Sequence, residues 1–128
     1  MEVVDHYLYT KEHEWVSIED NIATIGITDY AQEALGDITF VELPGVGDEV
    51  EQFEEFASIE SVKAANDIFA PISGKVIEVN ARLESDPGLI NKSTFEKGWI
   101  AKVQMSDKEE ASNLMTAEEY QKFLESIG

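Results

Sequence analysis

At 128 residues the chain is long enough for one domain that buries about two-thirds of its unfolded surface, and leaves no room for a separate catalytic domain. Asp and Glu number 27 against 9 Lys and Arg, a formal charge of −18 that repels nucleic acid and anionic lipid and attracts proteins with basic patches. Cysteine is absent, which excludes disulfides, thiolate metal sites and cysteine nucleophiles, so any redox sulfur chemistry has to come from an attached group.

A hydrophobic content of 43% and strong periodicity point to a folded acidic domain rather than a disordered one. No apolar run approaches the ~20 residues of a membrane span. Met1 to His6 matches neither a signal peptide nor an arginine-rich presequence. The expectation is a single cytoplasmic domain over residues 1–128, a monomer with no nucleic-acid or membrane partner, although a mature organellar form would look the same.

Residues 7–27 read as a hairpin. Glu14 to Ile18 form one strand, Glu19-Asp20-Asn21 the turn, and the β-branched run Ile22 to Ile27 the return. Thr28 or Asp29 then caps a short helix with Tyr30, Ala31, Ala34 and Leu35 on one face, closed by Gly36 and lying across the sheet as a lid. Strands follow over Ile38–Leu43, Glu49–Gln52 and Glu55–Val62, with a Pro44-Gly45-Val46-Gly47-Asp48 turn between the first two. A second half runs from Ile68 through a Pro71/Ser73-Gly74 turn into Lys75–Asn80. It then crosses an irregular loop containing Asp86-Pro87-Gly88 and ends in the strand Trp99–Gln104. Strands placed after Gly36 and after Gly74 are compatible with two quasi-equivalent units. Two capping boxes, Ser106 with Glu109 and Thr116 with Glu119, mark C-terminal helices. The second helix carries a stripe of Tyr120, Phe123, Leu124 and Ile127 that packs on the sheets.

Within this frame Glu60-Ser61-Val62-Lys63-Ala64-Ala65 stands out. It holds the only lysine between Lys11 and Lys75, and alternating apolar residues lead into it (Phe53, Phe56, Ala57, Ile59) and out of it (Ile68, Phe69, Ala70). It reads as a hairpin tip that holds one primary amine in water. Elsewhere the chemistry is sparse. His6 and His13 have no second ligand at metal spacing, and read as surface or packing residues with no metal site. Glu49/Glu51 and Glu54/Glu55 read as solvated strand faces and turns, not a calcium loop. There is no nucleophile elbow, P-loop or dinucleotide fingerprint, so enzymes of these types are excluded.

The stretch FASIESVKAANDIFAPISGKVIEVN resembles the lipoyl-attachment segment of the glycine cleavage system H proteins. Further landmarks occur in the family order: His13-Glu14-Trp15-Val16, Ile25-Gly26-Ile27-Thr28-Asp29, Leu35-Gly36-Asp37, Pro71-Ile72-Ser73-Gly74, Pro87-Gly88-Leu89-Ile90-Asn91 and Gly98-Trp99. The resemblance covers about residues 7–127. It implies a mainly β fold, a flattened barrel-sandwich hybrid of two antiparallel sheets with a short lid helix and C-terminal helices. It also implies a non-catalytic carrier with lipoate in amide linkage on Lys63, read by its attaching enzyme through Glu60, Ser61, Val62 and Ala64. That enzyme is a lipoate ligase or a lipoyl/octanoyl transferase.

By the same resemblance the lipoyl arm accepts an aminomethyl group from a pyridoxal-phosphate glycine decarboxylase. It passes the methylene to tetrahydrofolate on an aminomethyltransferase and is reoxidised by an FAD- and NAD-dependent dihydrolipoyl dehydrogenase. Glu14 and Asp67 match positions near a cleft where the loaded arm rests, with Glu14 facing the adduct's ammonium group; a solvated strand-end carboxylate is the competing reading of Glu14. Some relatives carry a histidine where this chain has Ala34. A biotin carrier is disfavoured by Val62 and Ala64 in place of methionines, and a 2-oxoacid dehydrogenase lipoyl domain by the lack of flexible linkers. An H-like lipoate-binding protein serving lipoyl relay, 2-oxoacid dehydrogenase or sulfur metabolism stays open, because the attachment motif is shared.

Overall fold

The computed structural model describes residues 1–127. Its first strands are β1 (Leu8–Tyr9), β2 (Glu14–Glu19) and β3 (Ile22–Ile27). β2 and β3 pair antiparallel from Glu14↔Ile27 to Glu19↔Ile22, so the expected turn is the pair Asp20-Asn21, with Asp20 at φ 57°. Trp15 lies opposite Gly26 in this register, and a Cβ on Gly26 would stand 2.5 Å from the indole. The missing side chain is the space the ring occupies.

Helix α1 (Asp29–Leu35) begins where expected. The Thr28 hydroxyl accepts the Ala31 N–H at 3.3 Å, and Gly36 ends the helix at φ 76°. Leu35 enters the core, while Ala34 faces solvent instead of sharing the apolar face. The chain continues through β4 (Ile38–Glu42), β5 (Glu49–Val50), β6 (Glu55–Ser61), β7 (Ala65–Phe69), β8 (Gly74–Val79) and β9 (Ala101–Met105). Two antiparallel sheets result, one of six strands in the order β1-β2-β3-β9-β8-β5 and one of three in the order β4-β6-β7. They do not close into a barrel. Between them lies the main core, to which β2, β3, β8 and β9 contribute Val16, Ile25, Val76 and Val103, and β4, β6 and β7 contribute Val41, Ile59 and Ile68.

Some elements depart from the sequence reading. β5 is only two residues long, and β9 starts at Ala101 rather than Trp99. The loop around Asp86-Pro87-Gly88 contains two single-turn helices, α2 (Arg82–Ser85) and α3 (Leu89–Lys92), held by burial of Leu83, Leu89 and Ile90. Four residues are too few for a helical period to show in sequence. The Ser106 capping box does not form. Asp107 caps instead, its carboxylate accepting the Glu109 N–H at 3.0 Å to start the 3₁₀ helix Lys108–Asn113.

The second box is present before α4 (Ala117–Ile127). Thr116 Oγ1 accepts the Glu119 N–H at 3.2 Å, and the Glu119 carboxylate accepts the Thr116 N–H at 2.9 Å. α4 seats Tyr120 in a second, aromatic core with Tyr9, Trp15 and Phe95 on the outer face of the large sheet. Tyr120 stacks on Tyr9 with centroids 4.5 Å apart, and its hydroxyl sits 2.8 Å from both Thr28 Oγ1 and His13 Nδ1. Burial lowers the His13 pKa, which suits an uncharged packing role against Tyr30. His6 is exposed. The stripe stops at Leu124, and Ile127 faces solvent because the cluster it would join reaches no further than Phe123 and Leu124.

Two stability tests follow from this packing. Thr116→Ala should cost about 0.5–2 kcal/mol by losing the N-cap bond, lowering the denaturant midpoint while Thr116→Ser stays near the parent. Gly26→Ala should cost about 1–3 kcal/mol by overpacking against Trp15, visible as a larger midpoint drop with quenched or shifted indole fluorescence.

Candidate functional site

The β6–β7 hairpin turns through Val62 and Lys63, and Ser61 braces the turn from inside. Its backbone N–H donates to the Ala64 carbonyl at 2.8 Å, and its hydroxyl accepts the Lys63 and Ala64 N–H groups at 3.2 and 3.1 Å while donating to the Ala64 carbonyl at 3.2 Å. A serine in this position replaces the ladder bonds that the reversing chain gives up. Val62, Lys63 and Ala64 are all exposed, as is Glu60, which pairs with Ala65 at the end of the ladder. Among the described residues the two ion pairs are Lys102–Glu78 and Lys122–Glu118, so Lys63 belongs to neither.

The tip is also mounted from outside. The Val62 N–H donates to the Asp37 carbonyl at 3.1 Å, and a Cβ on Gly36 would stand 3.4 Å from both Lys63 Cε and Val62 Cγ2. The lysine stem therefore lies across the bare glycine that ends α1. That corner is fixed by Asn91 of α3, whose oxygen accepts the Ile38 N–H at 3.0 Å and whose NH₂ donates to the Gly36 carbonyl and to Gln32 Oε1, each at 2.9 Å. Sequence reasoning named neither Gly36 nor Asn91 as a site residue. The available signal was the pair of landmarks Leu35-Gly36-Asp37 and Pro87-Gly88-Leu89-Ile90-Asn91, which the fold brings together beneath the lysine.

Glu14 is not the solvated strand-end carboxylate of the competing reading. It is 2% exposed, because its side chain shares the inner face of β2 with Val16, opposite Ile27 of β3, where Thr10 and Phe69 of β7 close over it. One carboxyl oxygen accepts the Thr10 hydroxyl and the other the Phe69 N–H at 3.2 Å. Burial outweighs these bonds and pushes its pKa up to about 7. Glu14 lines a hollow of about 400 Å³ with Tyr9, Phe53, Phe69 and Met115 as apolar walls and Lys11 and Glu12 at its rim. Asp67 lies outside this hollow, exposed on β7 opposite Ser58. Glu14 is thus at the far end of β7 from the lysine, and Asp67 is on the strand between them. A larger open groove lined by Glu49, Glu51, Glu54, Glu55 and Glu110 reaches neither Lys63 nor Glu14.

The site offers one presented amine and one buried carboxyl beneath an apolar hollow. It holds no arrangement of nucleophile, base and oxyanion donors. No helix among the described residues is long and apolar enough to cross a membrane.

Comparison with known proteins accounts for this pattern. The family model described as glycine cleavage H-protein matches residues 7–127. A glycine cleavage system H protein of Carboxydothermus hydrogenoformans is 51% identical over 94% of this chain and 92% of its own length. Its counterpart in Staphylococcus epidermidis is 49% identical over 97% and 98%. The crystal structure of a glycine cleavage system H protein from Mycobacterium marinum superposes with a TM-score of 0.86 at 36% identity, covering 94% of this chain and 98% of that one. With the family model spanning nearly the whole chain and the fold matching, the chain belongs to the glycine cleavage H-protein family, a carrier component of the glycine cleavage system that is not itself catalytic.

Proposed function

We propose that Lys63 carries lipoate in amide linkage, and that the protein shuttles the aminomethyl group of glycine. It receives that group from the pyridoxal-phosphate decarboxylase and delivers it to the tetrahydrofolate-dependent aminomethyltransferase. The FAD- and NAD-dependent dihydrolipoyl dehydrogenase then restores the carrier. The observation that carries this reading is the exposed Lys63 on its Ser61-braced turn, in a chain that matches the H-protein family from residue 7 to 127. Attached lipoate would supply the sulfur redox chemistry that this cysteine-free chain lacks.

For attachment, the Lys63 nitrogen attacks an activated lipoyl or octanoyl carbon. The C–N bond forms as the activating group leaves, and the nitrogen's proton passes to a base. Among the described residues no buried base faces the tip, so the attaching ligase or transferase would provide the base as well as the activated acyl group. Ser61, Glu60, Val62 and Ala64 serve by presentation, the first by bracing the turn and Ala64 by leaving room beside it.

The hollow at Glu14 suits an alkyl arm that ends in an amine, with apolar walls for the chain and a carboxyl for the cation. β7 covers five residues between tip and hollow, roughly 16 Å at ~3.3 Å per residue, a span that an acylated lysine arm bridges along the strand. Asp67 lies on that route.

Lys63→Arg keeps the charge and removes the amine chemistry. Purified from lipoate-replete cells, the parent should show lipoyl mass and the variant none, with an unchanged melting temperature. Lipoyl mass retained by the variant sinks the assignment of Lys63.

Glu14 gives a pH test. Its folded pKa of about 7 lies above the ordinary 4.5, so between these values the folded state keeps a proton that the unfolded state has lost. Stability should therefore fall as pH rises through that window and level off above it. Glu14→Gln should flatten this slope, changing the parent-to-variant difference by about 1–3 kcal/mol between pH 5 and pH 8. Parallel stability curves for the two proteins would mean that Glu14 is already ionised at pH 5.

A further inference from the structure

Beside Lys63, the outer face of the three-stranded sheet carries an apolar patch. Strict alternation along β4 would put Ile38 and Phe40 on one face. A bulge between Ile38 and Phe40 resets the register, so Ile38 and Val41 point into the core while Phe40 is turned out opposite Glu60. Phe40 is 50% exposed, and Val62, in the turn just beyond β6 and bonded to Asp37 beside β4, is 65% exposed. Ala65, which flanks Glu60 on the other side, is too small to cover either. The patch adds nothing to the core, and a bulge that expels an aromatic ring marks a surface made for contact.

We infer that Phe40, Val62 and Glu60 form the docking surface for the enzyme that acylates Lys63, which meets it with an apolar pocket rimmed by basic groups. This rests on Lys63 being the attachment site. Geometry selects the occupant. Partners that work on a finished arm meet its distal end and can stand off from the hairpin. The acylating enzyme has to bring an activated carbon to Nζ itself, within one lysine side chain of the backbone, so its surface must cover the residues around the tip. Phe40 is held at a set distance from that point. It pairs with Glu60, one residue before the Ser61-braced turn that carries Lys63. The Val62 N–H bond to Asp37 ties β4 to the tip a second time. Glu60 pairs with Phe40 across the ladder, and Asp37 and Glu42 lie within three residues of Phe40 along the chain, all three exposed, which sets the charge of the partner's rim.

The test uses the whole apo protein with a purified lipoate–protein ligase, ATP and octanoate. Phe40→Ala should lower kcat/KM by about 10-fold or more, through KM, with kcat within about twofold. Phe40→Trp should stay near the parent, as should Ile77→Ala, which removes an exposed apolar residue from β8 in the other sheet. Apo Lys63→Arg should inhibit acylation of the parent competitively. Adding Phe40→Ala to that inhibitor should weaken it by about the same factor, which reads docking without chemistry. Parent-like kcat/KM or undiminished inhibition overturns the surface. An equal fall in the rate of dihydrolipoyl dehydrogenase on fully loaded Phe40→Ala reassigns it to partners of the arm and overturns the occupant. A parent that stays unacylated at Lys63 sinks the carrier reading itself, and that result is separable by mass from the others.

Discussion

The Asn91 amide closes the corner between α1 and β4 by using both its N–H donors and its oxygen on three residues of that corner, Gln32, Gly36 and Ile38. An amide has few ways to do this, so the bonds fix the angle at which the chain leaves the helix and enters the small sheet. The Asp37 carbonyl that receives Val62 and the Gly36 surface under the Lys63 stem both belong to the stretch so held. The hairpin thus projects from a rigid base even though its tip is open to water. If Lys63 carries the arm as proposed, such an arrangement would let several enzymes find the same lysine in the same place without losing the entropy of a disordered tip again at every encounter.

Charge is distributed with the same economy. Nearly all the carboxylates are exposed, where their mutual repulsion is softened by water and salt. Glu14 is the exception, sealed between β2 and the Phe69 end of β7, with its two acceptor bonds weaker than its desolvation. A carboxyl poised near neutrality gains most from an arriving cation, since pairing removes the penalty that burial imposes. The acidic surface favours solubility and long-range attraction of positive charge, and in the proposed role the one buried acid would add local selectivity for a cation.

Much of this architecture can be read from the residues. The β2–β3 hairpin follows from β-branched alternation around Asp20-Asn21, α1 from Thr28 and Gly36, and α4 from the Thr116 and Glu119 box. The lysine turn follows from alternating apolar runs on either side of the Glu60–Ala65 stretch. Other features depend on what lies across the fold. Glu14 ends the core-facing row of β2 and is closed over by Phe69 from a distant strand, and periodicity counts faces without showing what covers their ends. Phe40 is turned outward by a bulge, which leaves no mark in an alternating pattern. Asp107 displaces Ser106 because a carboxylate one residue nearer the 3₁₀ turn is the better acceptor. The turns at Arg82–Ser85 and Leu89–Lys92 exist because their leucines and isoleucine are buried, a tertiary cause without a local signal.

The bridge between Tyr9 and Met115, with N–H to carbonyl bonds of 2.8 Å in both directions, joins the first strand to the segment that enters the last helix. β3 likewise pairs with β9 through Ile22↔Gln104. During synthesis the early hairpin therefore waits, its inner neighbour absent until residue 104 has emerged and its aromatic cover until Tyr120 has. At ~5–20 residues per second that delay is of order seconds, far longer than a hairpin takes to form. The lysine turn can close locally in that interval, but its Asn91 footing comes later than the turn itself. An attaching enzyme that reads the mounted tip would thus discriminate finished molecules from nascent ones, and load only carriers whose fold is complete.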